Sequence, residues 1–148
     1  MKIFHSLSYD ETLSIAEKIG EKLNKGTVVA MYGDLGVGKT AFTTGLAKGL
    51  GINSHVTSPT FALVNEYHGD NNDLYHFDMY RVTSWDDLYS TGFFDYLDTD
   101  AVLAIEWSEN IDGALPDNTL CVELVRLNDN EREIRVWERG RENENLSN

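Results

Sequence analysis

The sequence has one cysteine, two prolines and no apolar run approaching the roughly 18 residues that a membrane span requires. Each shortage excludes something. Cys121 has no second cysteine to pair with, and its apolar setting, Leu120-Cys-Val, predicts a buried, inert thiol. With so little proline and 41% hydrophobic residues, the chain is not of the disordered or low-complexity class. The opening residues, Met1-Lys-Ile-Phe-His-Ser, lack the apolar core of a secretory signal, so a cytoplasmic protein is expected. Basic residues are also scarce, and unevenly placed. Residues 1–50 carry 6 Lys and no Arg against 5 acids, whereas the remainder carries 6 Arg against 20 acids. A net charge of −13 opposes a phosphate backbone, so direct contact with nucleic acid is expected to be minor.

The length of 148 residues predicts one domain over residues 1–140, followed by a polar tail over 141–148. Ser8-Tyr-Asp-Glu11 has the spacing of a capping box, and apolar residues follow at helical intervals: Leu13, Ala16, Ile19 and Leu23. A helix is expected from Tyr9 to about Asn24. Thr27 to Tyr32 is a short continuous apolar run, the pattern of a strand covered on both faces. A helix is expected from Lys39 to about Leu50. Phe61–His68 and Leu74–Tyr80 read as a hairpin about the turn Gly69-Asp-Asn-Asn-Asp73. Ser84 caps a short helix ending near Gly92. Ala101 to Ile105 forms a second buried strand, and Thr119–Leu127 with Glu133–Glu138 a closing antiparallel pair.

Between the first buried strand and the second helix lies Gly33-Asp-Leu-Gly-Val-Gly-Lys39-Thr40. It satisfies the pattern G-x-x-x-x-G-K-[ST] at every fixed position, in the strand–loop–helix setting that gives the pattern meaning. Its glycines let the backbone N–H groups of Leu35, Gly36, Val37, Gly38, Lys39 and Thr40 converge on phosphate oxygens at the positive end of a helix. Lys39 reaches the outer phosphates, and the Thr40 hydroxyl is a hard oxygen ligand suited to Mg²⁺. The expected ligands are a nucleoside triphosphate and Mg²⁺.

Such a site needs an acid at the end of a neighbouring buried strand. Ala101-Val-Leu-Ala-Ile105-Glu106 supplies Glu106, which could ligate Mg²⁺ directly, hold it through water, or polarise the attacking water. Asp78 lies within the mostly apolar run Tyr75-His-Phe-Asp-Met-Tyr-Arg81. A carboxylate there requires a partner: a metal-bound water, Lys39 or Arg81. A purely structural Asp78–Arg81 pair is the alternative. Val56-Thr-Ser-Pro-Thr60 occupies the position of a γ-phosphate-sensing switch, or is an ordinary loop. His5, His55, His68 and His76 show no metal-ligand spacing and read as surface or strand residues. Trp85, Trp107 and Trp137 read as packing residues.

Regulatory GTPases are excluded by their signatures. Asn24-Lys-Gly-Thr27 lacks the Asp of N-K-x-D, and no Asp in the chain is followed by Gly three residues later. A small-molecule kinase and a nucleotide-gated binding module stay open. Gly33-Asp-Leu-Gly-Val-Gly-Lys-Thr40, Ser58-Pro-Thr-Phe61, His76-Phe-Asp-Met-Tyr-Arg81 and Ile105-Glu-Trp107, in this order and spacing, closely resemble the bacterial TsaE proteins. Val37, Ala41 and Met79 depart from residues often seen there, and none of the three is a phosphate or metal ligand.

The resemblance implies an ATPase of tRNA threonylcarbamoyladenosine biosynthesis. It would act with TsaB and TsaD without performing the group transfer, slowly alone and faster with those partners. It also implies roles by position: Lys39 and Thr40 in phosphate and Mg²⁺ binding, Glu106 as the metal-side acid, and Asp78 in hydrolysis. The expected architecture is an α/β P-loop domain, its mainly parallel central sheet extended by antiparallel strands and flanked by helices.

Overall fold

The computed structural model describes residues 1–34, 36–59 and 63–142. Seven strands form one sheet: β1 (Lys2–Ser6), β2 (Val28–Tyr32), β3 (Val64–His68), β4 (Asp73–Asp78), β5 (Val102–Glu106), β6 (Leu120–Arg126) and β7 (Arg132–Glu138). Their order across the sheet is β1-β7-β6-β2-β5-β4-β3. The central pairings, β6 with β2, β2 with β5 and β5 with β4, are parallel. The margins are antiparallel, with β3 against β4 on one side and β7 then β1 beyond β6 on the other. The expected parallel centre with antiparallel extensions is the architecture observed. The predicted hairpin and the predicted closing pair supply its margins.

Continuous apolar strands mark the doubly covered centre. In β2, Val29 and Met31 enter one core while Val28 and Ala30 enter the other. The first core is closed by α1 (Tyr9–Glu21) and α2 (Lys39–Gly49). These helices meet backbone to backbone. A Cβ on Gly49 would lie 2.2 Å from the Glu17 carbonyl, and one on Gly45 would lie 2.5 Å from Ala16 Cβ. Glycine is what permits this approach.

Ser8 caps α1 as its spacing predicts: Oγ accepts the Glu11 N–H at 3.1 Å, and Glu11 reaches back to the Leu7 N–H at 2.8 Å. The helix ends three residues early. The amides of Lys22 and Leu23 turn to the carbonyls of Ile19 and Gly20, tightening the last turn before Gly26 goes left-handed at φ 78°.

The second core packs beneath α3 (Trp85–Ser90), α4 (Phe93–Leu97) and a 3-10 segment (Ser108–Ala114), with Phe77, Leu88, Phe93, Leu103, Ile105 and Ile111 buried between. Ser84 caps α3 through the Asp87 N–H. Gly92 does not simply stop a helix. At φ 77° it turns the chain directly into α4, which the sequence pattern does not predict. The hairpin strands are β3 and β4, closed by a Gly69 N–H to Asn72 O bond of 2.9 Å. The predicted start of the first of them, at Phe61, falls outside the described residues, as does most of the expected tail. Among the described residues, no helix is long and apolar enough to cross a membrane.

Candidate functional site

The parallel strands β2, β5 and β4 end side by side, and each delivers part of the site. From β2 the chain passes into the glycine loop. Gly33, Gly36 and Gly38 hold φ of 140°, 77° and 112°, conformations that L side chains rarely adopt. At Gly33 there is also no room, since a Cβ would stand 2.7 Å from the Leu124 carbonyl. Gly38 is the N-cap of α2 and offers no side chain to its free amides, so the helix start stays open to an anion. Leu35 lies outside the described residues. From β7, Arg132 Nε donates to the Val37 carbonyl at 2.8 Å while its Nη1 donates to Asn128 O, also at 2.8 Å. This brace, 95 residues from the loop in sequence, is invisible to local reading.

Lys39 opens α2 and is only 5% exposed. Its Nζ donates to the Gly33 carbonyl at 2.8 Å and lies 4.7 Å from the centre of the Trp107 ring. The ammonium is thus held on the loop by one hydrogen bond and a cation–π contact. Thr40 follows in the first turn, half-buried. Trp107 is the one non-glycine residue with positive φ among the described residues, at φ 58° and ψ 43°. That conformation costs roughly 1–2 kcal/mol. It places the indole between Lys39 and Tyr80, whose ring centre is 4.9 Å away.

Glu106 ends β5 and is 6% exposed. Its Oε2 is 2.7 Å from Nε2 of His76, which is fully buried in β4, and 3.5 Å from the Ser58 hydroxyl. With Glu106 ionised, the proton of His76 sits on Nε2 and donates to the carboxylate. Nδ1 is then a buried acceptor with no partner among the described residues. Sequence reasoning took His76 for an ordinary strand residue. Only the parallel register, His76 opposite Ala104, brings it beside Glu106.

Asp78 stands opposite Glu106 in the same register. Its partner is neither Lys39 nor Arg81 but the Tyr80 N–H, which donates to Oδ1 at 2.9 Å. Among the described residues, no ion pair joins Asp78 to Arg81. Burial holds the Asp78 carboxyl above the usual range and the nearby Glu106 adds to this, while the Tyr80 N–H, His76 and Lys39 pull the other way. The loop before β3 is pinned near the acids. The Thr57 N–H donates to Tyr67 Oη at 3.1 Å, and Ser58 faces Glu106. Thr60 and Phe61 of the same motif lie outside the described residues.

Beside the loop, Tyr32, Asp34, Trp107, Glu123 and Trp137 border a cleft of about 370 Å³. Tyr32 and Trp137 stack there at 6.2 Å. Among the described residues, no three His, Cys, Asp or Glu side chains are grouped to hold a metal ion unaided. The converging elements carry hard oxygen donors: the Thr40 hydroxyl in α2, and at the end of β5 the Glu106 carboxylate, with Oε2 engaged by His76 and its other oxygen clear of that bond. This set suits Mg²⁺ shared with phosphate oxygens rather than a cation caged by protein alone.

The family model described as threonylcarbamoyl adenosine biosynthesis protein TsaE matches residues 6–134. The chain belongs to the TsaE family. One relative, the tRNA threonylcarbamoyladenosine biosynthesis protein TsaE of Treponema pallidum, is 41% identical over 131 residues, which are 88% of this chain and 96% of the relative. The Bacillus subtilis protein of the same name is 38% identical, covering 88% of this chain and 82% of that one. Among solved structures, Bacillus subtilis YdiB superimposes with a TM-score of 0.71 at 34% identity, over 90% of this chain and 82% of that chain. The TsaE match spans the glycine loop, Asp78 and Glu106 together, and also Arg132.

Proposed function

We propose that this TsaE-family chain is a Mg²⁺-dependent ATPase required for forming the threonylcarbamoyl group on the adenosine beside the tRNA anticodon. It acts with TsaB and TsaD and does not itself transfer the group. The observation that carries this reading is the meeting of three strand ends: the glycine loop with Lys39 and Thr40, Glu106 fixed by His76, and Asp78 opposite it.

Backbone amides from Leu35 to Thr40 bind the phosphates. Lys39 leaves the Gly33 carbonyl for a phosphate oxygen and offsets charge on the transferring group. Thr40 and Glu106 would hold Mg²⁺, which would supply Lewis-acid neutralisation of phosphate charge. His76 occupies one oxygen of Glu106 and so fixes the direction of the other. Asp78 or Glu106 orients the attacking water. Arg132 is engaged with carbonyls, so further charge on the transferring group would come from the exposed Arg81 or from a residue of a partner. Turnover by the isolated chain is therefore slow. The acidic surface fits a subunit whose partners, not itself, hold the RNA. The protein works in the cytoplasm, where tRNA is modified.

The test is release of phosphate from ATP by the pure protein, alone and with the cognate TsaB and TsaD. Slow turnover alone that rises with the pair supports the reading. Turnover indifferent to the pair removes the partner assignment. Phosphate passed to a small acceptor rather than to water makes the protein a kinase.

A further inference from the structure

From Val82 to Val125 the chain contains ten Asp and Glu residues and not one Lys or Arg. This stretch includes α3, α4 and the 3-10 segment, and it also carries two of the exposed aromatic side chains, Trp85 and Tyr89. Trp85 is 57% exposed and Tyr89 65%. Both pack against Phe94, with ring centres 6.5 and 4.9 Å from it. Next to Trp85 runs a groove of about 350 Å³ between α3 and the 3-10 segment, with Val82, Leu88, Ile111 and Ala114 in its lining and Glu109 and Asp112 beside them. Asp86 stands exposed next to Trp85. Arg139 is engaged with the Asp112 carbonyl and lies 3.6 Å from both the Asp112 and Asp117 carboxylates, and the exposed Arg81 precedes the stretch in sequence. Exposed aromatics around an apolar groove are unusual for a surface facing only water.

We infer that this acidic, aromatic surface docks a protein partner that presents an apolar segment flanked by lysine or arginine. The charge pattern decides among occupants. A nucleic acid would bring phosphates against Asp86, Glu109 and Asp112. A second copy of this chain, paired about a two-fold axis, would set the same acids against themselves. A basic, apolar segment satisfies both features: its side chains fill the groove, its charges meet the rim, and Trp85 and Tyr89 supply the large aromatic contacts that dominate protein interfaces.

The surface also reaches the phosphate site. Tyr80, 60% exposed, packs on Trp107 with the rings tilted by 58°, and the Trp107 ring faces the Lys39 ammonium. Asn110 ties the 3-10 segment to the Met79 and Tyr80 carbonyls at 2.9 and 3.3 Å. The groove wall is therefore linked, through Asn110 and Tyr80, to the Trp107 ring that contacts Lys39. This inference rests on the reading of the chain as an ATPase stimulated by TsaB and TsaD.

The experiment uses the full chain and the purified TsaB–TsaD pair of the same genome, with dissociation constants and stimulated turnover measured together. Trp85→Ala combined with Tyr89→Ala changes only exposed side chains, so basal turnover and melting temperature stay at wild-type values. Binding to the pair should weaken about tenfold or more. Asp86→Lys with Glu109→Lys should weaken it too, and should reduce its sensitivity to salt. If the wild type binds the pair and both double variants bind within twofold of it, the docking surface is wrong and the ATPase reading stands. If the wild type neither binds the pair nor responds to it, the partner assignment falls and this inference falls with it. Binding of tRNA by the isolated chain that is lost in the Trp85 and Tyr89 variant would make the surface an RNA site and overturn the proposal.

Discussion

The two faces of the sheet are built differently. On one, α1 and α2 lie against each other through Gly20, Gly45 and Gly49, so closely that a single added Cβ meets backbone. The core beneath them is largely aliphatic and closed. On the other, three short helical pieces cover the sheet with aromatic rings, and Trp85 and Tyr89 are left facing water. The first face has no slack, because α2 begins at Lys39 and any shift of the helix moves the glycine loop. The second face begins no glycine loop; it touches the site only through Asn110, Tyr80 and Trp107, and its exposed rings are free for other uses.

Substitutions can sharpen or break this contrast. The largest effect belongs to the point where the rigid face meets chemistry. Lys39→Ala should leave the melting temperature near wild type and lower ATP turnover by about a thousandfold or more, roughly 4 kcal/mol of transition-state stabilisation. Unchanged phosphate release by this variant would sink the assignment of the loop. Gly49→Ala comes next. Its Cβ would sit 2.2 Å from the Glu17 carbonyl, so the two helices must part at a cost of about 2–4 kcal/mol, read as a lower urea midpoint. A Gly49→Ala protein as stable as wild type would mean the α1–α2 face is not tight.

His76→Asn tests how the acid is held. Glu106 loses a 2.7 Å donor, and kcat should fall about tenfold while ATP binding changes less than threefold. A change confined to binding would show that His76 does not position Glu106. Cys121 gives a smaller, pH-dependent signal. Burial pushes its thiol up to about 11, so the folded protein keeps the proton longer than the unfolded chain does. Stability from this group is complete below the thiol's ordinary pKa and is lost as pH rises through about 11. Alkylation at pH 8 should be slow until the protein is unfolded, and rapid labelling of the native state would contradict its burial. The smallest effect is on the open face, where Trp85→Ala should change stability by no more than about 0.5 kcal/mol.

Local signals made much of this legible in the sequence. The buried strands β2 and β5, the glycine loop and the cap of α1 each show themselves within a few residues, and Glu106 was found from the strand that precedes it. What stayed hidden depends on pairing between distant segments. β1 is a strand because β7 lies beside it, not because of its own pattern. α4 was missed because a glycine at the end of one helix also serves to begin the next. His76 gains its role only from the register of β4 on β5, and Arg132 only from the return of β7 to the glycine loop. Asp78 was rightly expected to need a partner. That partner, a backbone amide two residues on, comes from the turn at the strand end and not from any charged side chain.

The brace from Arg132 to Val37 sets an order of events during synthesis. The phosphate loop leaves the ribosome early, but the residue that steadies its backbone is made 95 positions later. That residue sits in the strand that binds both β6 and β1. Until β7 has emerged, β1 has no neighbour to pair with and the loop has no brace. The return of β7 thus does two things at once: it gives β1 its only partner strand in the sheet, and it braces the backbone of the glycine loop.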